Sequence, residues 1–272
     1  CFDARGRLFV VDNDPDSRPP CRLLHIVQGG AYGFKFRNGR KGLHPFTSWN
    51  GELPGTLPMV AGTGEAPSGV VAYDAGNLPA EYRGTLLATS WGDHVLQRFP
   101  LTPKGASFSS APVNFVKGGE NFRPVGMAVG PDGALYLTDW VDKSYNVHGK
   151  GRIWRVRAKT PGPAATASAA PEDSPALKRM NEVLSTSSRD GLLPLLADPD
   201  PFLVNAALEA VARLGDEAYL LTHARAKEPK VRLGILLAMR RKGEKPFRPE
   251  IPEYLAAPDP RVRRAAIQWV AE

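Results

Sequence analysis

The chain has 272 residues, 42% of them hydrophobic and 23% charged, an ordinary composition for one large or two moderate domains with packed cores. Apolar runs such as "GILLAM" fall well short of a membrane span, and two cysteines, Cys1 and Cys21, provide neither a disulfide framework nor a Cys-x-x-Cys-His haem attachment. The formal charge of +7 comes from cations interleaved with acids through both halves, which argues against a nucleic-acid face.

The first element is "DARGRLFVVDND", residues 3–14, a glycine turn followed by an alternating strand. It runs into a loop holding Asp12, Asp14 and Asp16. A calcium loop counted from Asp12 would need Gly at the sixth position and Glu at the twelfth, where Ser17 and Leu23 stand, so this is not an EF-hand. A strand "CRLLHIV" follows, then a basic loop with Arg37, Arg40, Lys41 and His44, which either covers a ligand mouth or packs between sheets.

Further along, "EYRGTLLATSWGD" (81–93) and "GPDGALYLTDWVD" (130–142) repeat the first element, aligning Gly6, Gly84 and Gly133, then Leu8, Leu86 and Leu135. Two of the three are preceded by Gly-Glu and Pro-x-Gly, in "GEAPSGVVAY" and "GENFRPVGMAV". All three are followed by a third strand, "CRLLHIV", "HVLQRFPL" or "GRIWRVR". Strand, turn, strand, polar loop and strand at a period of about 50 to 65 residues predict antiparallel blades of a β-propeller. About three blades fit into residues 1–157, with Cys1 aligned to Ala128 inside an innermost strand, so the chain is expected to be a fragment of a six-bladed-type propeller truncated at its N-terminus.

Residues 158–173 are rich in Pro, Ala, Ser and Thr and read as a linker. Beyond it, residues 174–272 carry helical spacing, with "DPDPFLVNAALEAVARLG", "AKEPKVRLGILLAMRRKG" and "APDPRVRRAAIQWVAE" aligned on Val204, Val231 and Val262. Pro at the helix starts, Asp200 and Asp259 beside them, and Gly215 and Gly243 at the stops predict paired helices in a HEAT- or armadillo-like solenoid, also expected to be truncated. The fold class is therefore all-β followed by all-α.

The stretches "DNDPDSRPPCRLLHIVQGGAYGFKFRNGRKGLHPF", "WNGELPGTLPMVAGTGEAP", "TSWGDHVLQRF" and "GGENFRPVGMAVGPDGALYLTDWVDKSYNVHGKGRIWRVR" resemble the membrane-bound dehydrogenase family of planctomycetes and verrucomicrobia. In that family a propeller similar to quinoprotein glucose and sorbosone dehydrogenases precedes HEAT-like repeats and often a c-type haem domain. "GGAYGF" is similar to the Gly-Gly-Asn-Tyr-Gly-Trp stretch of those enzymes, with Ala31 and Phe34 at the differing positions. The resemblance implies an extracytoplasmic enzyme that oxidises a sugar or polysaccharide-derived substrate with pyrroloquinoline quinone and calcium. Electrons would pass to a cytochrome c domain outside these residues, and the solenoid would offer a surface to a protein partner. The family's catalytic His lies in an earlier blade, so no catalytic residue is assigned.

Candidate site residues lie on the loops that share one rim. Arg123, Lys143 and Lys150 would meet the carboxylates of a quinone. Asp14, Trp91, Asp93, His94, Glu120, Asn121, Trp140, Asp142, Tyr145 and His148 combine rings with hydrogen-bonding groups, as sugar recognition requires. Asp14 and Asp16 are the candidate metal ligands. Asp12 recurs as Asp139 and is expected to be a structural acid at a strand end, and Arg123 has a structural alternative, an ion pair with Glu120. Two other functions fit the same pattern: a noncatalytic carbohydrate- or protein-binding propeller, and a calcium-dependent lactonase-like hydrolase.

Overall fold

The computed structural model describes residues 1–14, 20–33, 47–162, 167–243 and 245–271, so Asp16 and the basic-loop residues Arg37, Arg40, Lys41 and His44 lie outside the described residues. Two compact units emerge. One comprises Cys1–Ile26 and Met59–Glu172, the other Val27–Pro58 and Asp173–Glu272.

The first unit is built from antiparallel sheets. Strands β1 (Leu8–Asp12), β2 (Cys21–Ile26) and β3 (Ala61–Thr63) form one. Strands β4 (Pro67–Tyr73), β5 (Thr85–Ser90) and β6 (Val95–Phe99) begin a second, which a short hairpin of β7 (Thr102–Lys104) and β8 (Ser107–Ser109) interrupts before β9 (Val113–Lys117) completes it. Strands β10 (Pro124–Val129), β11 (Leu135–Asp139) and β12 (Arg152–Val156) form the last.

The register agrees with the repeat. Leu8, Leu86 and Leu135 stand opposite Ile26, Phe99 and Val156, each at the same place in its hairpin. The bridge from Phe2 to Leu8 matches the pairing of Val129 with Leu135, so Cys1 does correspond to Ala128. Gly6, Gly84 and Gly133 adopt left-handed φ of 77°, 71° and 71°, which the tight turns require and L side chains resist. Both Pro-x-Gly motifs are β-bulges, between Pro67 and Val70 and between Pro124 and Met127. In each, the glycine N–H donates across the hairpin to a threonine hydroxyl at 2.8 Å, from Gly69 to Thr89 and from Gly126 to Thr138.

Alternation places Tyr73, Leu87, Leu96 and Leu135 in a common core with Leu78. Tyr73 satisfies its buried hydroxyl by donating to the Gly133 carbonyl at 2.8 Å and accepting from the Leu78 N–H at 2.7 Å. Strand β4 packs against both β1 and β10, setting the three sheets side by side. Part of the Pro/Ala-rich stretch lies along this unit. The Ala169 N–H bonds Asp74 at 2.9 Å, and Arg5 and Arg7 donate to the carbonyls of Ala170 and Pro171.

In the second unit the long helices are α1 (Pro175–Ser185), α3 (Pro201–Leu214), α5 (Pro229–Lys242) and α7 (Pro260–Ala271), with shorter α2 (Leu192–Leu195), α4 (Glu217–His223) and α6 (Ile251–Leu255) between them. Helix α1 packs on α3, α3 on α5, and α5 on α7. Ser174, Asp200 and Glu228 cap α1, α3 and α5 by accepting from Leu177, Phe202 and Val231, with Pro just inside each start. Superposing the caps at Asp200, Glu228 and Asp259 makes Leu203, rather than Val204, the equivalent of Val231 and Val262. Leu203 is the more buried of the two. Gly215 ends α3 with an ordinary φ of −75°, and its need for glycine is spatial, since a Cβ would meet the Val211 carbonyl at 2.7 Å.

Val27–Pro58, which the strand repeat places with the first half, belongs to this helical unit. Trp49, Leu53 and Leu57 are its buried anchors. Glu52 folds the loop by accepting from the N–H groups of Trp49 at 2.7 Å and Asn50 at 2.8 Å and from the Ser48 hydroxyl at 2.9 Å. Burial alone would raise its pKa, but these bonds dominate and lower it to about 2.

Gly6 and Gly84 share a conformation but not their surroundings. An added Cβ at Gly6 meets nothing within 4 Å, whereas at Gly84 it would collide with the Ala169 carbonyl. Gly6→Ala is therefore expected to cost about 1 kcal/mol in urea unfolding, the left-handed penalty alone. Gly84→Ala should lose about 3 kcal/mol because overpacking adds to it; equal losses would mean that the strap over Gly84 yields freely.

Candidate functional site

The strand ends are fixed first. Asp139, whose side chain is fully buried, accepts from the N–H groups of Arg123 (2.8 Å) and Val141 (2.9 Å) at Oδ1, and from Arg152 and the Trp154 indole (both 2.9 Å) at Oδ2. Burial would raise its pKa, but the bonds from Trp154, Arg123, Val141 and Arg152 outweigh burial and hold it below the ordinary carboxylate value. Asp12 occupies the equivalent end of β1 and pairs with the buried Arg22 at 2.8 Å, the residue opposite it in the ladder.

Beside these ends lies a recess of about 360 Å³, lined by Asn13, Ala66, Pro67, Ser68, Trp91, Val125, Trp140 and Tyr145. Trp91 and Tyr145 are parallel within 9°, their centroids 5.9 Å apart, although Tyr145 is 85% exposed. Trp140 is held by its indole N–H, which donates to the Ser144 carbonyl at 2.7 Å, and by the edge of His148 at 5.0 Å. Lys150 binds Asp142 at 2.6 Å and its N–H donates to His148 Nδ1, which places that ring's proton on Nε2. The Lys150 bond, the Ser144 N–H and nearby charge lower the Asp142 pKa to about 2.

On the Asn13 side, Asp14, Cys21 and Glu65 bring one ligand atom each within 4.8 Å of one another. The buried Cys21 thiol donates to Asn13 Oδ1 at 3.0 Å, and the Asp14 N–H donates to its sulfur at 3.3 Å. Burial raises the Cys21 pKa, and burial with the charges of Asp14 and Asp93 raises that of Glu65. Asp93 closes the corner, accepting from the Glu65 N–H at 2.7 Å and the Ser90 hydroxyl at 3.1 Å. A thiol with two carboxylates is a donor set for zinc or cobalt rather than calcium, which takes oxygen ligands alone.

The remaining sequence candidates sit elsewhere or are committed to structure. His94, at φ 60°, has its Nδ1 2.8 Å from the Phe122 carbonyl and so donates there. Glu120 and Asn121 line a different recess of about 490 Å³ with Phe122, Trp154 and Val156. Arg123 is only 6% exposed, lies 4.3 Å over the Trp91 ring and donates to the Trp91 carbonyl at 3.2 Å; among the described residues it makes no ion pair with Glu120. Lys143 is exposed. Of the three cations expected to meet a quinone, Arg123 is therefore covered by Trp91, Lys150 is paired with Asp142 and Lys143 is exposed.

Cys21, Asn13 and Ser68 were not singled out by sequence reasoning, and Glu65 only as a rim residue through its repeated Gly-Glu. Cys21 is betrayed by nothing local; its ladder partner Thr63 brings it to the Glu65 turn.

A family profile described as a domain of unknown function (DUF7133) matches residues 39–160. No curated protein matches the sequence. Among solved structures, the chain is similar to an oxidoreductase described as a glucose dehydrogenase from Thermus thermophilus, at 21% identity over 56% of this chain and 42% of that one, with a TM-score of 0.43. It is similar also to the PQQ-bound form of an aldose sugar dehydrogenase from Streptomyces coelicolor, at 22% identity over 57% and 41% of the two chains, with a TM-score of 0.41. The chain spans about two fifths of the length of these proteins.

Asp139 gives the site a signature in pH. Because its folded pKa is depressed, it stabilises the fold above its unfolded value near ~4, and that contribution disappears as pH falls through the folded value. Asp139→Asn should lower stability at pH 7 by about 3 kcal/mol, leaving Arg152 without its buried partner. The gap to the wild type should close in acid; a gap constant down to pH 2 would show that the charge is not its source.

Proposed function

We propose that the strand-built unit is part of a six-bladed-type propeller of the quinoprotein sugar dehydrogenase kind, and that the recess of Trp91, Trp140 and Tyr145 receives a sugar or polysaccharide-derived substrate. The ring-lined recess carries the reading. Its flat faces suit the C–H faces of a pyranose, while Asn13, Ser68 and the neighbouring acids offer partners to hydroxyl groups. A volume of about 360 Å³ lies at the small end of ligand pockets and favours one or two sugar units.

The sequence resemblance supports an extracytoplasmic oxidoreductase with HEAT-like repeats behind the propeller and a c-type haem domain as electron acceptor. A quinone, where bound, would supply the electron sink. Among the described cations Arg123 is covered by Trp91 and Lys150 is paired with Asp142, so the residues described here are given substrate recognition alone. The same commitment of Arg123 and Lys150 to partners within the protein favours a second reading, a noncatalytic carbohydrate-binding propeller. The third, a metal-dependent lactonase-like hydrolase, draws on Asp14, Cys21 and Glu65 as ligands, with zinc or cobalt in place of calcium.

Saccharide titration followed by indole fluorescence tests the recess. Trp91→Ala and Tyr145→Ala should each weaken binding about tenfold, the scale of one lost ring contact; unchanged affinity in both would remove the recess from the reading. Sugar-dependent dye reduction by the longer protein separates the oxidoreductase from the binding module. Addition of Co²⁺ should give a thiolate charge-transfer band that Cys21→Ser abolishes, and absence of the band in the wild type would rule out the metal-dependent alternative.

A further inference from the structure

We infer that Arg123 is a positioning residue that holds the two tryptophan walls of the recess in register, and is not the group that meets a ligand's charge. The inference rests on the carbohydrate reading above. Trp91 follows β5 in one sheet and Trp140 follows β11 in another, while Arg123 precedes β10 and touches both. Its guanidinium lies 4.3 Å over the Trp91 ring and its Nη1 donates to the Trp91 carbonyl at 3.2 Å. Its own carbonyl accepts from the Trp140 N–H at 2.9 Å, and its N–H is anchored on Asp139 at 2.8 Å.

Burial supports this role against anion binding. Arg123 is 6% exposed and does not line the recess, and among the described residues its Nε has no hydrogen-bond partner. A buried guanidinium held without a carboxylate is stabilised by the ring it covers and by the one carbonyl. A planar guanidinium stacks its face on the ring while an N–H in its plane reaches the carbonyl, a geometry that a compact ammonium reproduces less well. The Trp91 ring is thereby fixed before ligand arrives, which spares the ligand the cost of ordering it.

Near-UV circular dichroism and saccharide titration of Arg123→Met, Arg123→Lys, Trp91→Phe and the Arg123→Met/Trp91→Phe double variant test the role. The expected result is a changed indole signal in Arg123→Met that vanishes in the Trp91→Phe background, glucose and glucuronate affinities both lowered about tenfold, and Arg123→Lys in between. A signal change of equal size in both backgrounds would overturn the inference, as would loss of glucuronate binding with glucose binding intact, since that marks charge recognition. If the wild type binds no saccharide, the carbohydrate reading falls while the coupling between Arg123 and Trp91 is still decided by the dichroism. Should Arg123→Met not fold, Arg123→Lys carries the same comparison.

Discussion

Donors from the connection before β10, the loop after β11 and the strand β12 all converge on the carboxylate of Asp139. A buried carboxylate without them would be expensive, so the fold tolerates Asp139 only when all of these segments arrive together. Val141, held by the same carboxylate, takes a left-handed φ of 73° that a β-branched residue adopts only under constraint. That constraint turns the chain sharply after Trp140 and launches the loop bearing Asp142, Tyr145 and His148. The recess is thus a consequence of how one strand ends.

The same logic explains which parts of the fold were legible from residue order. Asp12 and Asp139 recur at one position of the strand repeat, and the arginine near the start of the third strand recurs with them, in "CRLLHIV" and "GRIWRVR". The structure pairs Asp12 with Arg22 and Asp139 with Arg152 across the ladder. Turn glycines, bulge glycines and helix caps were equally readable, because each answers a local backbone requirement that only a few residue types meet. The strand and helix halves follow from the change of period alone.

What was not legible depends on partners distant in sequence. Trp49, Leu53 and Leu57 are spaced at four residues without forming a helix, so neither period announces that they pack with helices. The Pro/Ala-rich stretch looks like a free linker by composition, yet its main chain offers carbonyls that Arg5 and Arg7 use. Arg123 is the clearest case. A rim arginine beside Glu120 and Asn121 reads as an anion site, and only the placement of Trp91 above it shows that the guanidinium is covered.

Covering Arg123 alters the electrostatics of the recess as well as its shape. The guanidinium is behind the indole and Lys150 is neutralised by Asp142, while among the described residues Asp14, Glu65 and Asp93 lie within two residues of the lining residues Asn13, Ala66 and Trp91 in the chain. Burial first, and then the charges of the other two acids, raise the Glu65 pKa. A ligand bearing carboxylates would add to that repulsion, whereas hydroxyl groups donate to carboxylates and relieve it. Together with flat aromatic walls, this acceptor-rich edge favours an uncharged polyol over an anionic ligand at this particular recess.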